Sequence, residues 1–343
     1  MSLQSLLGIE LPLLQAPMAG AQGSALAIAV SNAGGLGALP CAMLDSRTLL
    51  AELDAIKAQT SKPWNLNFFC HQQPIADPAS DARWREALAP YYLELEINPS
   101  TVASTTSRTP FNNEIADLLE AYRPPVVSFH FGLPSTALLD RVRSWGSRVL
   151  CTATTVNEAR WLESQRVDAV IAQGLEAGGH RGNFLTDTLD SQLPTSALLM
   201  QIVRAVRLPV IAAGGIVDRA GVRAALQLGA SAVQVGTAYL LCDEAKTSAV
   251  HRAALQGDAA HDTALTNVFT GRPARGIVNR LVRELGPISP LAPAFPLASG
   301  AITPLRACAE QQGSGDFSPL WAGQNVRGCR AISAAAMTRQ LAP

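Results

Sequence analysis

Short apolar runs recur along the chain, separated by longer stretches whose apolar residues fall at helical spacing. The runs are Leu11–Gln15, Leu36–Leu39, Trp64–Phe69, Val126–Phe129, Arg148–Cys151, Ala169–Gln173, Pro209–Ala212 and Ser231–Val235. They read as apolar throughout rather than alternating, which is the pattern of strands covered on both faces in a parallel sheet. Helices are predicted between them over residues 23–33, 46–58, 135–144, 156–164 and 196–205, and from Asp218 to Leu228. Asp45 and Asp218 are placed to cap two of them. Eight such strand–helix units in succession predict an α/β fold, a (β/α)8 TIM barrel. An open doubly wound sheet is the alternative, and the count of eight favours the barrel.

Two stretches exceed what a barrel needs. Residues 70–125 hold helical pieces at Ala79–Leu95 and Asn112–Ala121, joined by a Ser/Thr-rich link around Ser100–Thr109. This reads as an elaborated connection after the third strand, covering one end of the barrel. Residues 244–343 form a C-terminal extension. In it, 263–275 is hairpin-like or irregular, Ile277–Leu285 is helical and the Pro-rich Gly286–Pro304 is a wrapping loop. A glycine-punctuated segment (Gly313–Gly328) and a closing helix (331–341) follow. No linker frees either stretch. The expected organisation is a barrel core over 1–243, with 70–125 as its insertion, and an extension over 244–343 that packs on the barrel and lines the substrate cavity.

Composition narrows the function. The 343 residues carry 27 Lys+Arg against 27 Asp+Glu, so charge points to no nucleic-acid or anionic-membrane partner. No apolar run is long enough to span a bilayer, and the start has no basic n-region with a cleavage site, so a soluble, cytoplasmic protein is expected. The six cysteines are scattered without metal-ligand spacing and read as reduced residues in or near the core.

In a barrel the chemistry gathers at the C-terminal ends of the strands. Those ends supply Ala16-Pro17-Met18, Asn67, His130, Thr152, Gln173, Gly214-Gly215 and Gln234-Val235-Gly236-Thr237. None is a lysine, which disfavours Schiff-base chemistry, and no cluster of acids and histidines suits a metal. The glycine turns after the last two strands offer backbone N–H groups to a phosphate. Ala16-Pro17-Met18 offers a wall for a planar ring, with backbone N–H and C=O for its heteroatoms, and Asn67 and Gln173 offer amides. One phosphate, one polyol chain and one ring describe FMN. No G-x-G-x-x-G follows a strand, so a dinucleotide site is not indicated. The loop Gln173–Gly182 packs Gly174, Gly178, Gly179 and Gly182 around His180, a titratable group just past a strand end.

These residues resemble a known family. The runs QAPMAG (15–20), AGGLGALP (33–40), NLNFF (65–69), QGLEAGGHRG (173–182), IAAGGI (211–216) and GASAVQVGT (229–237) are similar to those of the class I nitronate monooxygenases, formerly called 2-nitropropane dioxygenases. FTGRPARG (269–276) and SGDFSPLWAGQN (314–325) extend the likeness into the tail. The resemblance implies FMN and a detoxifying oxidation of alkyl nitronates such as propionate 3-nitronate. O₂ is the oxidant, a flavin semiquinone carries the electron, and carbonyl compounds and nitrite are the products. It implies His180 as the base, with His130 facing the same pocket. FMN contacts fall at Ala16, Pro17, Met18, Asn67, Gln173, Gly178, Gly179, Gly214, Gly215, Gln234, Val235, Gly236 and Thr237. Partners are the small-molecule nitronate and O₂, with a homo-oligomer compatible. His71 reads as structural, His251 and His261 as solvated, and Phe131, Phe317 and Trp321 as candidate cavity walls. FMN-dependent enoyl-acyl-carrier-protein and NAD(P)H:quinone reductases share the glycine turns and form the alternative reading; a non-catalytic flavin or phosphate binder is a third.

Overall fold

The computed structural model describes residues 2–102 and 108–343; part of the expected Ser/Thr-rich link, 103–107, lies outside the described residues. Eight parallel strands form the sheet: β1 (Leu13–Gln15), β2 (Gly37–Pro40), β3 (Trp64–Phe69), β4 (Val126–His130), β5 (Arg148–Ala153), β6 (Ala169–Gln173), β8 (Val210–Ala213) and β9 (Ala232–Val235). A short strand β7 (Gly179–His180) lies between β6 and β8 in sequence, outside this sheet. The spatial order is β1-β9-β8-β6-β5-β4-β3-β2. Leu14 bridges Leu36, with Leu36 N donating to Leu13 O and Gln15 N to Leu36 O, both at 2.9 Å, so the sheet comes back on itself as a (β/α)8 barrel.

Local chemistry sets the helix starts. Asp45 accepts from Thr48 N at 2.7 Å, and Asp218 from Gly221 N at 2.8 Å, each satisfying a donor left over in the first helical turn. The barrel interior is filled at its lower end by Leu14, Leu36, Leu150, Ile171 and Ile211, against Leu3 and Leu7. Those last two belong to a helix, Leu3–Leu7, that the sequence pattern did not reveal. Its apolar face seals the end of the barrel opposite the site.

The insertion and the C-terminal extension share a second hydrophobic core. Trp84, Leu88 and Tyr92 from the helix Pro78–Glu94 pack with Val268, Leu281, Ile302, Leu305 and Phe317. Trp84 Nε1 donates to Ala298 O at 3.2 Å and Tyr92 OH to Ala301 O at 2.7 Å. At the rim of that core Arg280 joins Glu94 at 2.6 Å. The tail hairpin is formed by β10 (Thr263–Thr266) and β11 (Ala274–Ile277), and β7 adds to its edge, pairing His180 with Ala274.

Two expectations about the extension are corrected. The Pro-rich stretch does not wrap as a loop to Pro304: residues Ala298–Gln311 are a helix containing Pro304. The helix survives the missing N–H because its Ala298, Ala301, Ile302 and Leu305 are buried in the second core. His251 is not solvated either. Ser248 caps the helix Ala249–Gln256 and His251 is buried in its first turn, whereas His261 is exposed as expected. No helix among the described residues is long and apolar enough to cross a membrane.

Candidate active site

Every residue expected to contact FMN or to act in catalysis, Val235 excepted, lines a single cavity of about 230 Å³ at the C-terminal ends of the strands. Val235 is buried in the layer between strands and helices. Successive strand residues face opposite sides, so Gln234 reaches the cavity and Val235 turns away. Its carbonyl still matters, since it accepts from Ala16 N at 2.8 Å and fixes the first strand end.

The segment Ala16-Pro17-Met18 forms one wall, but its N–H groups are already engaged. Ala16 N bonds to Val235 O, Met18 N donates to Gln22 Oε1 at 3.1 Å, and Pro17 has none. The expected backbone donors to a ring are therefore absent, and the wall offers apolar contact. Asn67 is turned by Ser128, to which its Nδ2 donates twice (2.9 Å to Oγ, 3.2 Å to O). Its Oδ1 has no partner among the described residues. On the far side Gly214 and Gly215 have φ of +129° and +69°, a turn that favours glycine. The N–H groups of Gly215 and Thr237 have no hydrogen-bond partner among the described residues. Gly323 N donates to Thr237 Oγ1 at 2.9 Å, so the tail closes over this turn.

The glycine loop is held from three directions. Gln173 Nε2 and His130 Nε2 both bond to the His180 carbonyl, at 2.9 and 3.2 Å, and Gln173 Oε1 accepts from Gly182 N at 2.8 Å. Arg181 is fully buried; its guanidinium donates to Gln192 Oε1, Gly174 O and Gln173 O at 2.6, 2.5 and 2.7 Å. The loop passes so close to its neighbours that a Cβ at Gly182 would sit 2.6 Å from Thr152 Cγ2 and 2.7 Å from His130 Cε1. No role for Arg181 is legible in the sequence, because the carbonyls it satisfies come together only when the loop folds back.

A carbonyl only accepts, so His130 Nε2 carries its proton, and Nδ1 accepts from the Thr152 hydroxyl at 3.0 Å. Both nitrogens are used. His130, expected as a catalytic partner, lines the cavity but spends both nitrogens on Thr152 and the His180 backbone; burial, and next the charge of Arg272, pull its pKa down to about 3. His180 differs. Its Nε2 lies 2.9 Å from Thr270 Oγ1, and the Thr270 hydroxyl in turn donates to Arg272 O at 3.4 Å. Thr270 therefore accepts the Nε2 proton, and Nδ1, with no partner among the described residues, keeps its lone pair. Burial first, then Arg108, with His130, Arg272 and His71 behind it, hold the His180 pKa well below the ordinary imidazole value.

Aromatic rings enclose this imidazole. Phe295 lies 5.3 Å from it and Trp321 5.5 Å, centre to centre. Trp321 lines the cavity, as expected, whereas Phe317 does not: it is buried against Tyr91 in the second core, 5.2 Å away. Phe131 packs behind, 4.5 Å from His130. His71 is buried edge-on to Phe295 at 4.8 Å, in keeping with a packing role. Thr270 and Phe295 were not read from the sequence; neither lies at a barrel strand end, Thr270 coming from the turn of the β10–β11 hairpin and Phe295 from the segment between the helices Arg280–Leu285 and Ala298–Gln311. No group of acids, histidines and cysteines among the described residues is arranged to hold a metal.

Fold and site together define a barrel whose His180 imidazole faces a cavity lined by Arg108 and Arg306 and, among the described residues, by no acid. Comparison with known proteins sharpens that class. The sequence model of the nitronate monooxygenase family matches residues 1–343. A nitronate monooxygenase of Pseudomonas aeruginosa is 42% identical over 338 residues, covering 98% of this chain and 96% of its own. One from Paraburkholderia phytofirmans is 42% identical over 344 residues, covering 99% and 93%. Among solved structures, nitroalkane oxidase from Streptomyces ansochromogenes superposes with a TM-score of 0.91 at 37% identity, over 99% of this chain and 96% of that one. A FabK variant from Thermotoga maritima follows with a TM-score of 0.72 at 26% identity, over 99% and 94%. The chain belongs to the nitronate monooxygenase family and is an oxidoreductase.

Proposed function

We propose that the protein binds FMN and oxidises alkyl nitronates with O₂, releasing carbonyl compounds and nitrite. The observation that carries this reading is the neutral His180 imidazole. It sits on a clamped loop in a cavity where the charged groups acting on it are cationic. A nitronate is an anion, and such a cavity favours it over a neutral or cationic ligand.

The residues suit FMN. The free N–H groups of Gly215 and Thr237 fit a terminal phosphate. The Asn67 carbonyl fits a ring N–H, and Ala16-Pro17-Met18 is a flat apolar floor. A Cβ at Gly179 would meet nothing within 4 Å, so there is open space over the loop for a ring. When bound, FMN supplies the electron transfer between nitronate and O₂.

The chain's own residues do the rest. His180 Nδ1 accepts a proton from the carbon of a neutral nitroalkane, or, once protonated, donates to the nitro oxygens of a bound nitronate. Thr270 fixes the tautomer through Nε2. Phe295 and Trp321 exclude water from the reacting carbon.

The reductase alternative differs in one respect: a donor such as NADH would need access to the same cavity. The test is direct. The purified protein is yellow, denaturation releases a flavin with one phosphate, and aerobic incubation with an alkyl nitronate yields nitrite. A colourless protein that cannot be reconstituted overturns the cofactor assignment.

A further inference from the structure

Arg108 lines the same cavity as His180. Its guanidinium lies 5.4 Å from the centre of the Phe295 ring, and that ring is 5.3 Å from His180. Its Nη1 is buried with no hydrogen-bond partner among the described residues, and none of the ion pairs among them includes Arg108. Neighbouring guanidiniums are committed elsewhere. Arg181 is spent on the loop carbonyls, Arg306 pairs with Glu310 at 2.8 Å, and Arg272, although its Nε is unpartnered among the described residues, does not line the cavity and is tied by its Nη2 to the Asn183 carbonyl above Phe131. Arg108 is anchored at its backbone, where Gln73 Nε2 donates to its carbonyl at 2.9 Å. Burial pulls its pKa down only to about 10, so it stays charged at neutral pH.

Holding a guanidinium partly out of water without a counter-charge is costly unless a ligand brings one. The planar fork of an arginine matches a carboxylate in bidentate geometry. Because His180 and Arg108 flank one phenyl ring, a short molecule reaches both. We propose that Arg108 is the specificity-determining residue of this site. Its guanidinium receives a carboxylate at the far end of a short nitronate whose reacting carbon lies at His180. The assignment rests on the nitronate reading and adds to it the residue that would tell a carboxylated nitronate from a plain alkyl one.

The test compares propionate 3-nitronate with propyl-1-nitronate on the flavin-loaded full chain, wild type against Arg108→Gln and Arg108→Lys. Losing a hydrogen-bonded charge contact predicts a fall of about 10- to 100-fold in kcat/KM for the carboxylated nitronate, carried mainly by KM. The fall for propyl-1-nitronate is markedly smaller, and Arg108→Lys recovers part of the loss. Equal losses on both substrates, or none on either, overturn the proposal. Calorimetric titration with succinate and butyrate, unreactive carboxylate counterparts of the two nitronates, reads the same preference without turnover. Selective loss of succinate binding in Arg108→Gln supports the role of Arg108 even if the oxidase activity fails. Unchanged succinate binding overturns it even if that activity holds.

Discussion

At the scale of single residues, the site separates two histidines by their hydrogen bonds. Both nitrogens of His130 are paired with protein atoms, whereas among the described residues only Nε2 of His180 is. A base needs a free lone pair facing its proton donor, which is why the proposed mechanism gives proton transfer to His180 rather than His130. His180→Asn keeps a comparable volume and removes the base. It should lower kcat/KM for a neutral nitroalkane such as nitroethane by about 10²-fold or more, the usual contribution of a positioned base. The loss on a preformed nitronate, which needs no deprotonation, should be smaller, with bound flavin unchanged. Steady-state oxygen uptake with the two substrates checks this; unchanged turnover of nitroethane would remove His180 from the mechanism.

At the scale of elements, the βα units were legible because each carries its own signal. Val156–Ser164 and Trp64–Phe69 fall where the apolar pattern put them, and Asp45 and Asp218 cap the helices they precede. What was not legible depends on distant partners. A strand of two residues has no periodicity, and Gly179–His180 is a strand only because Ala274 and Arg275 lie alongside. The helix Ala298–Gln311 was hidden by Pro304, whose local preference is overruled by the packing of Ile302 and Leu305. The candidate site follows the same division. Strand-end residues and the glycine turns were readable by position, whereas Thr270, Phe295 and the clamp by Arg181 come from tertiary contacts. The second core joins insertion to extension, so its central ring matters to both. Trp84→Ala empties a fully buried position and deletes the bond to Ala298 O. It should cost about 3–5 kcal/mol of stability by chemical denaturation. A loss below about 1 kcal/mol would mean that the insertion does not share a core with the extension.

At the scale of the whole molecule, burial of several imidazoles links stability to pH. Burial is the first cause in each case: it pulls His130 down to about 3, His71 and His251 to about 4, and His180 well below the ordinary value. An unfolded chain protonates these groups near pH 6.5, whereas the folded chain does not until pH is far lower. The unfolded state therefore binds more protons between those limits. The stabilisation is fully present above pH 6.5 and is lost as pH falls towards 4. Denaturation midpoints should drop steadily from pH 7 to pH 5, and His251→Gln should flatten that slope; a flat wild-type profile would contradict the buried, neutral state of these rings. The same cavity chemistry sets the activity. A cation-rich pocket with no acid acting on His180 among the described residues suits oxidation of an anionic nitronate, whereas the alternative reading, an FMN-dependent NAD(P)H reductase, requires reduction by a nicotinamide donor. Oxygen uptake with propionate 3-nitronate, set beside anaerobic bleaching of the flavin by NADH and NADPH, separates the two. Rapid, nitronate-dependent oxygen consumption with nitrite released and little bleaching is the predicted result; fast bleaching by either nucleotide without nitronate turnover would contradict it.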